Sequence, residues 1–214
     1  MLAPRPILLA NATDMSHRTN GRTSSYIVLA AGLAMLAATQ PGGVGAQSAQ
    51  MVSLQFSALG AYPFGGGLES VSAGYGWEAQ IRVNPSAFSL GAGAEQTFHE
   101  ISAVAGRDII FLGGFLEPRY VLDVGSDNAV LYLSARAALS QIKLQQGAFE
   151  STGTGYTLNG GGGLLFRLGS RVNLDAGATI GYKDLGILDL PAGTFDLGTG
   201  TNVVGRVGLA IGVG

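Results

Sequence analysis

Apolar and polar residues alternate with a period of two along most of the chain beyond residue 50. In residues 70 to 83 the odd positions are Val71, Ala73, Tyr75, Trp77, Ala79, Ile81 and Val83, and the even ones are Ser70, Ser72, Gly74, Gly76, Glu78, Gln80 and Arg82. Such a pattern predicts a strand with two unlike faces, because successive side chains of a strand point to opposite sides. The same alternation marks residues 52 to 58, 88 to 99, 112 to 122, 131 to 139, 156 to 168, 172 to 183 and 203 to 213. Eight evenly spaced strands are too many for a hairpin or a small sheet. Patterns of period 3.6 are poor throughout, and no stretch is long and apolar enough for a transmembrane helix.

The predicted connections sort into two kinds. Asn84-Pro85-Ser86, Gly125-Ser126-Asp127-Asn128 and Gly169-Ser170-Arg171 have the residues that tight turns require. Alternating with them are longer segments at 60 to 67, 100 to 109, 145 to 154 and 184 to 200. Short turns at one end and long loops at the other are the arrangement of an antiparallel up-and-down β-barrel that spans a membrane.

Alternation alone does not say which face is inside, because a soluble lipocalin-like carrier alternates as well and buries its apolar face. Composition decides between them. Only 12% of the 214 residues are charged, against about 25% in soluble domains, too few to coat a soluble exterior. Ten charges fall within the strands: Glu78, Arg82, Glu95, Glu117, Arg119, Arg136, Arg167, Asp175, Lys183 and Arg206. All ten lie on the polar phase, beside many glycines and serines. A lumen charge network is expected, with the apolar phase turned to lipid, where a charge at midplane would cost about 2–4 kcal/mol. Lys143 lies on the lipid phase, near a strand end where that cost fades. Aromatic residues give an independent check. Phe88 and Phe98 lie ten residues apart on one strand face, as do Tyr156 and Phe166, while Tyr120 and Tyr182 fall near strand ends. At about 3.3 Å per residue and a tilt of about 40°, ten residues climb roughly 25 Å, the height between two lipid-facing aromatic girdles.

The N-terminal part reads as a cleavable signal peptide. Tyr26 to Ala38 is uncharged and mostly aliphatic, follows Arg18 and Arg22, and precedes Val44-Gly45-Ala46, small residues that suit cleavage after Ala46. Met15 would make a more ordinary start than Met1. The expected division is residues 1 to 46 as extension and signal peptide and residues 47 to 214 as the barrel. The second part holds 13 acids and 9 bases, a net charge of −4, which is not the balance of a nucleic-acid-binding domain.

The chain resembles the small eight-stranded outer-membrane barrel proteins of Gram-negative bacteria, the OmpA-like and OmpX-like family. The resemblance rests on the pattern over nearly all of residues 47 to 214, on Phe115-Leu116-Glu117-Pro118-Arg119-Tyr120, and on the closing strand at 203 to 213. Members usually end in an aromatic residue, whereas this chain ends Ile211-Gly212-Val213-Gly214. The resemblance implies an integral protein of the cell outer membrane, with short turns periplasmic and long loops extracellular. It further implies a monomer surrounded by outer-membrane lipid and lipopolysaccharide and inserted by the barrel-assembly machinery.

Candidate chemistry is sparse. The absence of cysteine removes disulfides and thiolate metal sites, and His99 is the only histidine after the leader; no metal and no cofactor are expected. Gly160 to Gly163 lacks the Gly-Lys-Ser/Thr of a phosphate loop. His99, Glu100 and Ser102 could form a lipid A hydrolase triad, but a rim histidine is the plainer reading. Asp184, Asp189 and Asp196 read as solvated loop charges. Glu117 with Arg119, and Glu78 with Arg82, could gate a narrow pore or simply plug it. Eight strands enclose just enough room for their own side chains. The expected role is therefore non-enzymatic, structural or surface-interacting. A narrow gated pore, a lipid A-acting hydrolase and a soluble carrier are the alternatives.

Overall fold

The computed structural model describes residues 50–101, 107–126, 128–146, 149–190, 193–196 and 198–213. The chain divides into two units, residues 1–36 and 37–214; the first, the signal-peptide region and the predicted cleavage site all lie outside the described residues. Within the second unit the strands are β1 (Val52–Phe64), β2 (Gly74–Val83), β3 (Phe88–Glu100), β4 (Arg107–Leu122), β5 (Ala129–Gln146), β6 (Phe149–Arg167), β7 (Val172–Leu190), β8 (Gly193–Asp196) and β9 (Thr199–Val213). Each pairs antiparallel with its neighbour in sequence from β1 to β7, while β9 pairs with both β7 and β1 and closes the ring. Eight strands thus form the barrel, and β8 is a short extra strand on the end of β7.

Stepping between register partners gives the stagger of the barrel. The path from Leu54 through Ile81, Ala92, Leu116, Ala137, Leu158, Tyr182 and Thr201 returns to β1 at Phe64, ten residues farther on. With eight strands about 4.8 Å apart and a rise of about 3.3 Å per residue, that stagger sets a tilt of about 40° and a radius of about 8 Å. A cylinder of that radius is filled by its own side chains.

The faces are inside-out relative to a soluble barrel. Trp77, Ile81, Leu90, Leu133, Leu139, Ile180 and Leu209 are exposed on the outer wall, whereas Glu78, Arg82, Glu117, Arg119, Arg136, Asp175 and Arg206 are buried in the lumen. The turns use their local chemistry. Asp123 Oδ1 accepts the amide of Gly125, which has φ +70°, and the amides of Leu168 and Gly169 both donate to the Val172 carbonyl.

The strands run well past the predicted boundaries at the loop end. The expected loop at 145 to 154 is instead a paired hairpin, with Gln146 opposite Phe149. β7 likewise continues to Leu190, and β1 to Phe64. Only the predicted second strand starts late, at Gly74, because Ser70 to Ala73 belong to a turn over the barrel mouth. The physical reason is a change of surroundings. Beyond the apolar band the outer wall meets water, so Gln141 and Gln145 face out and Ile142 turns in, and the contrast that betrayed the strands reverses. Lys143 sits in this outward polar row.

Candidate functional site: the occluded lumen

Glu117 of β4 is the node of the lumen and is fully buried. Arg119 Nε donates to it at 2.5 Å, Arg206 at 2.6 and 2.9 Å, and Arg82 at 3.2 Å, while Arg136 Nε lies 3.0 Å away. Four arginines from four different strands thus converge on one carboxylate. A second acid, Asp175 of β7, accepts from Arg119 at 2.7 Å, Gln55 at 2.7 Å and the Tyr132 hydroxyl at 2.6 Å. Arg136 reaches across to Glu78, and to Glu95 at 2.9 Å.

Glu78 therefore pairs with Arg136 on β5 and not with Arg82 on its own strand. Residues four apart on a strand are separated by about 13 Å, whereas a narrow lumen brings opposite walls within reach of an arginine. Arg82 instead joins Glu117, Gln80, Ser89 and the Glu117 carbonyl. Lys183 is buried with its ammonium 3.4 Å from the centre of the Phe111 ring. Arg167 lies on the same phase close to the turn end, half-buried.

Aromatic rings complete the packing. Arg136 lies 3.7 Å from the centre of the Phe115 ring and Arg119 4.4 Å from that of Tyr132, so the cations rest against aromatic faces in a place without bulk water. Tyr132 and Gln55 were not singled out by sequence reasoning. The signal was there in the glycines: a Cβ at Gly163 or Gly177 would collide with the Tyr132 hydroxyl, so both positions are cut away to seat that ring.

Two small cavities, each about 20 Å³, lie on either side of this belt. The turn-end cavity is lined by Ser53, Gln55, Arg82 and Arg119 among others; the loop-end chamber by Glu95, Arg136, Asn159, Lys183 and Asn202 among others. Each has room for about one water molecule. The Glu117 node separates them. Above the chamber, Leu68, Val71, Ile109, Phe111, Ile142 and Leu185 form an apolar stopper. The stopper departs from the expectation of an inner face lined only by polar residues.

On the outer wall the six predicted girdle residues fall into two tiers. Phe88 and Tyr120 are register partners near the turn end, and Phe166 is at the same end of β6. At the other end Phe98 packs on Tyr75, with ring centres 5.7 Å apart, and Tyr156 on Tyr182 at 6.0 Å. Tyr62 and Phe64, stacked at 5.8 Å, extend the loop-end tier.

Three of the other candidate residues, His99, Asp184 and Asp196, hold neighbouring backbone or turns in place. His99 is buried; its Nδ1 lies 2.9 Å from the Ser72 carbonyl and its Nε2 3.1 Å from Thr97 Oγ1. That geometry makes Nδ1–H the donor and Nε2 the acceptor, so both nitrogens are engaged. Glu100 is exposed and Ser102 lies outside the described residues. Asp184 and Asp196 each accept the amide two residues on, from Gly186 at 2.7 Å and Gly198 at 2.8 Å, as turn-forming aspartates do. Gly160 to Gly163 lies within β6.

Known structures share this architecture. The crystal structure of Neisserial surface protein A (NspA) aligns with a TM-score of 0.56 at 17% identity, covering 76% of this chain and 97% of that one. The outer membrane protein OprG from Pseudomonas aeruginosa aligns with a TM-score of 0.50 at 12% identity, covering 78% and 98%. The fold is that of the small outer-membrane barrels. No protein-family model matches the sequence, and no curated protein matches it. At these identities the outer-membrane barrels share with this chain the closed eight-stranded architecture.

Proposed function

We propose that this chain is a non-enzymatic integral protein of the outer membrane that acts structurally or through the surface at its loop end, and that its lumen does not conduct. The observation that carries the reading is the doubly closed interior: four arginines locked onto Glu117, with an apolar stopper above them. Opening a path would require separating buried ion pairs, and a buried charge left without its partner costs about 3–5 kcal/mol. The short turns face the periplasm and the longer, hairpin-rich end faces outward, as in barrels of this type. Lipid and lipopolysaccharide surround the exposed apolar wall, the barrel-assembly machinery inserts it, and it works as a monomer.

Two measurements test the proposal. In detergent, the unheated protein should migrate differently from the boiled protein on a gel, as a closed membrane barrel does; identical mobility would refute the membrane barrel. In planar lipid bilayers the folded protein should give no discrete current steps. Regular unitary steps, altered by Arg119→Ala, would replace this reading with that of a narrow pore.

A further inference from the structure

The turn that follows β1 does more than connect two strands. Gly65 and Gly66 have φ of +71° and +57°, which sends the chain back over the barrel mouth and places Leu68 completely out of solvent inside it. The fit is built from both sides. A Cβ at Gly66 would collide with the Thr199 carbonyl, and one at Gly200 with the Leu68 side chain, so glycines on the turn and on β9 allow the two to touch. The far end is tied to β3: the Ser72 amide donates to the Glu100 carbonyl at 2.9 Å, His99 Nδ1 donates to the Ser72 carbonyl at 2.9 Å, and Val71 bridges Ile101.

Beneath it lies the loop-end chamber. The stopper residue Leu185 is two positions outward of the chamber residue Lys183, and Gly200 two positions outward of Asn202, about 7 Å along each strand. The chamber is polar under an apolar cover. Asn159 Oδ1 and Asn202 Oδ1 are buried there with no hydrogen-bond partner among the described residues, a cost that entry of water would relieve. The chamber's floor, by contrast, is the Arg136 and Glu117 ion-pair belt.

We propose that residues 65 to 72 are a lid that carries Leu68 and Val71 of the stopper, and that its lifting admits solvent to the loop-end chamber past the stopper residues on the strands while the belt below stays shut. The barrel then presents a gated vestibule at one end and no through-path. The lid is the weaker of the two closures, because it is held by two buried side chains, Leu68 and Val71, by its contact with β9 and by two hydrogen bonds to β3, whereas the belt is held by several buried ion pairs on continuous strands. The inference rests on the non-conducting reading of the belt.

The chain has no cysteine, so single thiols report access cleanly. Thr157→Cys places one in the loop-end chamber and Ser53→Cys one in the turn-end cavity. The full-length folded protein in detergent would be treated with a small charged methanethiosulfonate reagent, with and without Leu68→Gly, and heat-dependent gel mobility would confirm that each variant is folded. Leu68→Gly should speed labelling of Thr157→Cys by about tenfold or more, since deleting a buried leucine shifts a local opening at least that far, and leave Ser53→Cys unchanged. An unchanged Thr157→Cys rate in a folded variant would overturn the lid. So would equal acceleration at both sites, which would mean that the whole barrel had loosened. Current steps through a folded Leu68→Gly variant would instead refute the closed belt and leave the lid standing.

Discussion

Glu117→Gln tests the lumen network most directly. The substitution keeps the shape and removes one negative charge from a place with no solvent. Its consequences differ among the four arginines. Arg119 keeps Asp175, and Arg136 keeps Glu78 and Glu95. Arg206 is left with carboxylates no closer than 3.9 Å, from Glu78 and Asp175, and Arg82 has no other carboxylate among its described ion pairs. Two buried guanidinium groups thus lose their close partner, and the expected loss of stability is about 3–5 kcal/mol. Glu95→Gln is the matched control. Glu95 lines the loop-end chamber and, among the described ion pairs, meets only Arg136, which retains two other acids, so its loss strands no guanidinium and should cost clearly less than that of Glu117. Urea titration in lipid vesicles, followed by the fluorescence of Trp77, the single tryptophan, measures both. A Glu117→Gln cost no larger than that of Glu95→Gln would refute the node.

On the outer wall, Leu133→Arg should destabilise the folded barrel by about 2–4 kcal/mol in the same titration, and Tyr182→Arg, in the loop-end aromatic tier, by about 1 kcal/mol or less; equal effects would contradict the assigned membrane position. Gly177→Ala should cost about 1–3 kcal/mol by forcing Tyr132 from its seat. The double variant with Tyr132→Phe, which removes the colliding oxygen, should cost less than the sum of the two single substitutions, read as a coupling energy from a double-mutant cycle.

How much of this was legible in the sequence depends on where a residue sits along the barrel axis. Within the bilayer the outer wall meets hydrocarbon and the inner wall meets other side chains, so Trp77 and Glu78, or Leu116 and Glu117, contrast sharply, and strand, face and closure can all be read from neighbours in the chain. The partners of each charge could not be read that way. Glu78 meets Arg136 from β5, 58 residues along the chain, a pairing set by a ten-residue stagger that no local pattern displays. Nor did alternation reveal the mouth. Past the loop-end aromatics, water replaces lipid outside, and Ile142 and Leu185 turn inward where Glu117 and Asp175 do lower down. The same strands therefore carry opposite polarity codes in their two parts, and a single rule for which side is inside finds the belt while missing the stopper. That reversal also explains why a buried leucine on a glycine-hinged turn can close the top of a lumen whose middle is ionic: the barrel's loop end is packed as a soluble protein is, with an apolar interior, and its membrane-spanning part is packed the other way round.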